Sequence, residues 1–237
     1  MSGVEDRAAS RARTVTTPWE AAGISALCFG WFIYTSLSVV SAGYQSVATS
    51  GGTVATFSNA AFIGLVVFEL VVGSIALYVL RVRGFSIASL YPAPSASGAG
   101  IGVLLYIAAA FAAWAATAPF STAAYTEPIR QLMPRTGGID LATLVALGMV
   151  NGTYEEVFLL GFLMRGLRGY GFAAALGVSL LVRLLYHLYQ GPLAATSVFI
   201  YGAVVSLYFA SSGRLFPAVF AHALGDMKTM DLADRYL

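Results

Sequence analysis

The chain has 237 residues, 58% of them hydrophobic and only 10% charged, with a mean hydropathy of +0.78. Soluble domains carry roughly 25% charged residues, so the composition excludes an ordinary soluble fold and reads as an all-α, polytopic transmembrane helix bundle. A net charge of +2 is too small to suggest a nucleic-acid partner, and the single cysteine, Cys28, rules out an intrachain disulfide and a four-thiolate metal site.

Residues 1–18 read as a short basic arm without regular structure, carrying Arg7, Arg11 and Arg13. The first span is predicted over 19–42, with Trp19 and Trp31 as interfacial anchors. It is longer than a signal-peptide core and lacks a small-residue cleavage site, so it reads as a retained helix. A Gly/Ser/Thr-rich loop covers 43–57. The second span, 58–80, contains Glu69 and stops at Arg81 and Arg83, and Pro92 and Pro94 mark a loop over 84–97. The third span, 98–118, is rich in Ala and Gly, which suits close helix packing. Pro128, Pro134 and Gly137-Gly138 make 119–139 a polar loop.

The fourth span, 140–165, carries Glu155 and Glu156 and is closed by Arg165 and Arg168. The fifth, 171–190, carries Arg183 and His187 and breaks at Gly191-Pro192. The sixth covers 193–211. The last apolar stretch, 215–227, contains His222 and Asp226 and is short for a span; residues 231–237 read as a tail. The count is about seven spans, with six to eight compatible. Alternating them gathers Arg7, Arg11, Arg13, Arg81, Arg83, Arg165, Arg168 and Arg214 on one side, leaving Arg130, Arg135 and the tail opposite. The positive-inside rule makes the first side, and with it the N-terminus, cytoplasmic.

Charges inside apolar spans are expensive, about 2.5–3.5 kcal/mol each on insertion scales. Two adjacent glutamates therefore need partners or a polar cavity. Consecutive residues point about 100° apart on a helix, so the two carboxylates are expected to take different jobs, one facing a site and the other bracing it. Arg183 and His187 share one face at i, i+4, and so do His222 and Asp226. A polar cavity is thus expected among the C-terminal helices, and its groups suit hydrolysis. A buried carboxylate takes a proton from water, and imidazoles hold the water, stabilise an oxyanion or ligate a metal. Two His and one carboxylate suffice for a zinc site with an open position. No His-Glu-x-x-His and no Gly-x-Ser-x-Gly is present.

Three segments, Glu155-Glu156-Val157-Phe158-Leu159-Leu160, Arg183-Leu184-Leu185-Tyr186-His187 and His222-Ala223-Leu224-Gly225-Asp226, resemble the motifs of the CPBP intramembrane proteases, the CAAX proteases and Abi-type bacteriocin-processing enzymes. That family has Glu-Glu-x-x-x-Arg, Phe-x-x-x-His and His-x-x-x-Asn or Asp on successive transmembrane helices. The resemblance covers about residues 140–230, leaving 19–139 as N-terminal helices and loops. It implies that Glu155 is the general base, that His187 assists it, and that His222 and Asp226 ligate a metal or line an oxyanion site. A metal, if used, is one divalent ion, zinc first, held by His187, His222 and Asp226; the family chemistry is equally compatible with none.

Two departures stand out. Leu160 replaces the motif Arg and Arg183 replaces the motif Phe, so the guanidinium is expected to have moved from one helix to the next, where Arg183 pairs with Glu156. The implied activity is an intramembrane endopeptidase acting on a peptide or membrane-anchored protein in a prokaryotic plasma membrane. The alternatives are a non-catalytic membrane partner or bacteriocin-immunity protein of the same fold, and a small proton- or ion-coupled transporter using Glu69, Glu155, Glu156 and Arg183.

One spacing needs relief. Glu155 lies about ten residues from the arginine end of its span, roughly 15 Å, and His187 about sixteen, roughly 24 Å. A tilt, a bend or a late start to the fifth helix must close that gap.

Overall fold

The computed structural model describes residues 13–53, 56–121, 132, 133 and 138–236. Among these the secondary structure is helical, apart from an isolated bridge between Arg13 and Phe85. The helices are α1 (Pro18–Ala42), the short α2 (Tyr44–Thr49), α3 (Asn59–Val82), α4 (Ala96–Thr117), α5 (Leu141–Glu156), α6 (Phe172–His187), α7 (Gly191–Ser212) and α8 (Leu215–Tyr236). Side chains at the ends decide where several begin. Thr17, Ser58 and Ser95 each accept a hydrogen bond from the backbone N–H three residues on, satisfying donors that the first turn leaves free.

Among the described residues, four helical stretches are long and apolar enough to cross a membrane: Pro18–Ala42, Asn59–Val82, Ala96–Phe120 and Phe172–Ser212. The last of these is two helices. A 3₁₀ turn, Leu188–Gln190, leads into Gly191 at φ +85°, a backbone conformation that favours glycine, and Pro192 follows. The chain reverses there, and α6 and α7 pack side by side. Large apolar side chains such as Leu104, Phe111 and Leu141 stay exposed on the outside of the bundle, as expected of surfaces that meet lipid.

Helix α5 is the hub. It continues without a break into a π-helix, Val157–Met164, every residue of which is buried. Widened turns of this kind recur at functional sites, and this one begins immediately after the Glu155–Glu156 pair. Helix α8 packs along α5 and α4, α3 against α5, and α1 against α6.

The arginine end is closed by specific bonds, which corrects two expectations. Residues 13–17 are not a free arm. Arg13 donates to both carboxylate oxygens of Glu20 at 2.6 Å, its backbone pairs with Gly84 and Ser86, and Thr16 N–H donates to Gly166 O. The Glu20 carboxylate raises the Arg13 guanidinium above its ordinary pKa by accepting these bonds. Arg165 donates to Ser89 O and Gly213 O, and Arg168 to Ala210 O. The second correction concerns the C-terminus: α8 runs to Tyr236, so the short stretch and the separate tail are one helix of 22 residues. Arg7, Arg11, Pro128, Arg130, Pro134, Arg135 and Gly137 lie outside the described residues.

Candidate active site

Four helices bring polar side chains to one place. Glu155 and Glu156 end α5, Arg183, Tyr186 and His187 occupy the last turns of α6, His222 and Asp226 lie on α8, and Glu69 is in the middle of α3. The approach of α8 depends on small residues: a Cβ on Gly152 would sit 2.9 Å from Ala223 N, and one on Gly148 2.7 Å from Ala223 O.

Glu156 is the braced carboxylate. It is wholly buried, and its Oε1 accepts from Arg183 Nη2 at 2.7 Å and lies 2.6 Å from His222 Nδ1. A carboxylate only accepts, so Nδ1 carries the proton and Nε2 is the nitrogen left for the cavity. Gly202 on α7 makes room for the guanidinium, since a Cβ there would stand 2.5 Å from Arg183 Cδ.

Glu155 is held differently. Its Oε2 accepts from the Tyr186 hydroxyl and stands 3.6 Å from Arg183 Nη1 and 3.7 Å from His222 Nε2. Its Oε1 is 3.4 Å from Asn151 Nδ2, one helical turn earlier on α5. The two glutamates therefore straddle the same guanidinium and the same imidazole. The 100° between them puts Glu156 on one edge of the His222 ring and Glu155 towards the other.

Asp226 Oδ1 lies 3.5 Å from His222 Nε2. His187 Nδ1 lies 2.9 Å from Arg183 O, on its own helix, and its ring packs on Tyr186 at 4.3 Å between centroids. From α6, the side chains that reach Glu155 are thus Arg183 and Tyr186. Arg183 is about eleven residues along α6, roughly 17 Å at 1.5 Å per residue, which puts it level with Glu155. His187 lies one turn beyond Arg183, at the end of α6.

Glu155, His187, His222 and Asp226 all line one cavity of about 320 Å³, together with Glu69 and Asn151. Its walls reach Thr56, Phe57, Tyr189 and Gln190, so it extends toward the end of the bundle away from the arginines. A second cavity, about 470 Å³, is walled mostly by apolar side chains of α3 and of the α5–π segment, including Leu70, Leu77, Val157 and Phe158. Glu69 and Tyr154 line both.

No group of three His, Cys, Asp or Glu side chains among the described residues stands close enough to hold an ion. His222 presents Nδ1 to Glu156, and the Nδ1 of His187 faces a backbone carbonyl. His222 Nε2 faces Glu155 and Asp226.

Three groups were not singled out by the sequence as members of the site. Tyr186 reads as one more aromatic in an apolar helix, although it is adjacent to His187. Asn151 reads as part of a formal glycosylation sequon within a span. Gly202 has no sequence signal at all.

The fold and the site define a helical, integral membrane protein with a carboxylate–imidazole centre on its C-terminal helices, in a cavity that α1 and α3 also wall through Phe29, Phe32, Leu65 and Glu69, rather than one confined to the C-terminal helices. Residues 137–227 match the family described as type II CAAX prenyl endopeptidase Rce1-like, in agreement with the family that the three motifs resemble. The matched segment contains every residue of those motifs and leaves Glu69 outside. No curated protein and no solved structure matches the chain.

Proposed function

We propose that the chain is an intramembrane endopeptidase that hydrolyses a peptide bond of a peptide or membrane-anchored protein. The observation that carries this reading is the position of Glu155, on the wall of a cavity inside the bundle with His222 Nε2 at 3.7 Å. A water in that cavity gives a proton to Glu155 while its oxygen bonds to the substrate carbonyl carbon. The oxyanion that forms is stabilised by His222 as an imidazolium, whose Nε2–H donates to it while Nδ1–H stays on Glu156. When the C–N bond breaks, the leaving amine takes the proton from Glu155, so one water and one peptide bond become a carboxylic acid and an amine. Arg183 keeps Glu156 paired, which leaves Glu155 as the carboxylate for the water. The apolar second cavity suits a hydrophobic anchor on the substrate, in keeping with the description of the matched family.

The test uses purified full-length protein in lipid nanodiscs and two quenched fluorogenic peptides, one with a prenylated C-terminal CAAX box and one unprenylated. Cleavage by the wild type, absent in Glu155→Gln, supports the reading. No cleavage of either peptide, together with proton or ion flux in sealed liposomes, favours a transporter. No cleavage and no flux leaves a non-catalytic membrane partner.

A further inference from the structure

Glu69 is a cost without a use in the mechanism above. It lies near the middle of α3, is 3% exposed, and its Oε1 accepts from Asn151 Nδ2 at 2.6 Å. Its Oε2 is buried without a hydrogen-bond partner among the described residues. A carboxylate in that position inside a membrane helix is expensive, and such residues are functional by default. What distinguishes this one is where its partner points. The Asn151 amide lies between two carboxylates from different helices, Glu69 on α3 at 2.6 Å and Glu155 on α5 at 3.4 Å. Both carboxylates only accept, and an Asn amide has two N–H donors on one nitrogen. The NH₂ end must therefore face both at once. Glu69, the nearer acceptor, fixes that orientation, and the second N–H is left aimed at Glu155.

We propose that Glu69 and Asn151 are a positioning pair for the Glu155 carboxylate. Tyr186 holds Oε2, Asn151 holds Oε1, and Glu69 keeps Asn151 from turning its carbonyl oxygen toward the base. The proposal rests on the endopeptidase reading, and it extends the site to a helix outside the segment that matches the family. It also gives a reason why Glu69 lines the same cavity as Glu155. Neither residue of the pair needs to touch substrate.

The experiment measures kcat and KM for the better cleaved of the two fluorogenic peptides, with thermal melting on the same nanodisc preparations. Leucine is favoured in a membrane helix, so Glu69→Leu is expected to fold. It lowers kcat about tenfold to a hundredfold, the scale of a slightly misplaced catalytic group, and leaves KM within about twofold. Asn151→Leu does the same. Glu69→Gln, which keeps an acceptor oxygen for Asn151, loses only about threefold, less than one hydrogen bond's worth. The reversed pair, Glu69→Gln with Asn151→Asp, separates positioning from simple helix pinning. It restores a bond between α3 and α5 but offers Glu155 no donor, so melting recovers relative to Asn151→Asp while kcat does not. Recovery of kcat along with melting overturns the proposal, and so does a wild-type kcat in Glu69→Leu. A wild type that cleaves neither peptide, or a Glu155→Gln variant that still cleaves, sinks the endopeptidase reading and the pair's role with it. Full dependence on Glu155 with an indifferent Glu69→Leu sinks the pair alone.

Discussion

Arg183 and Glu156 meet at 2.7 Å across the α5–α6 interface, with the guanidinium side chain 1% exposed and the carboxylate 0%. Neither charge has water to fall back on. Removing one partner of such a pair costs about 3–5 kcal/mol, because the other charge remains buried. Arg183→Phe is therefore expected to lower stability by about that amount in a denaturation experiment in micelles. Arg183→Met combined with Glu156→Gln, which removes both charges, recovers a large part of it.

Two glycines are steric requirements of the site. A Cβ on Gly152 meets the backbone of Ala223, which cannot rotate away, and one on Gly202 meets the Arg183 side chain. Gly152→Ala is expected to push α8 from α5 and cost about 1–3 kcal/mol, the usual range for overpacking. Gly202→Ala displaces the guanidinium from Glu156 and lowers kcat as well as melting temperature. Kinetics and thermal melting on both variants check this.

Tyr186 donates to Glu155 Oε2 while its ring stacks on Phe29 at 4.8 Å. Tyr186→Phe keeps the stack and loses the donor. Its expected effect is about a tenfold loss of kcat/KM, in line with the roughly 1–1.5 kcal/mol of one hydrogen bond, with melting nearly unchanged. His187→Phe, which removes a group that makes no bond to Glu155, is a useful comparison in the same assay.

The bonds of Arg13, Arg83, Arg165, Arg168 and Arg214 gather these residues at one end of the bundle. We propose, from the positive-inside rule, that this end faces the cytoplasm; the cavity extends toward the other. In a Cys28→Ser background, Gln190→Cys is expected to react with a membrane-impermeant thiol reagent on intact cells. Ser97→Cys, beside Arg214, is expected to react only after permeabilisation. The reverse pattern places the cavity on the cytoplasmic side.

The spans were legible because hydropathy marks them directly: 19–42 and 58–80 against Pro18–Ala42 and Asn59–Val82. The polar groups of the site stood out for the same reason, as charges in apolar helices have to be explained. The π-helix left no trace, since Val157–Met164 is apolar on every face and its sequence carries no phase to report a change of winding. Tyr186 was hidden because an aromatic ring in such a helix serves packing and hydrogen bonding alike. The bonds of residues 13–17 were hidden for another reason. Basic residues near a terminus look solvated, and their partner, Glu20, is contributed by the first turn of α1.

The central claim is that the two adjacent glutamates do different work, and one comparison tests it: kcat and melting temperature of Glu155→Gln beside Glu156→Gln. The expected result is that Glu155→Gln loses cleavage by at least about a thousandfold, the upper part of the range for a general base, with melting close to wild type. Glu156→Gln, which leaves Arg183 buried without its carboxylate, melts well below wild type. A Glu155→Gln variant that still cleaves at more than about a tenth of the wild-type rate contradicts the account.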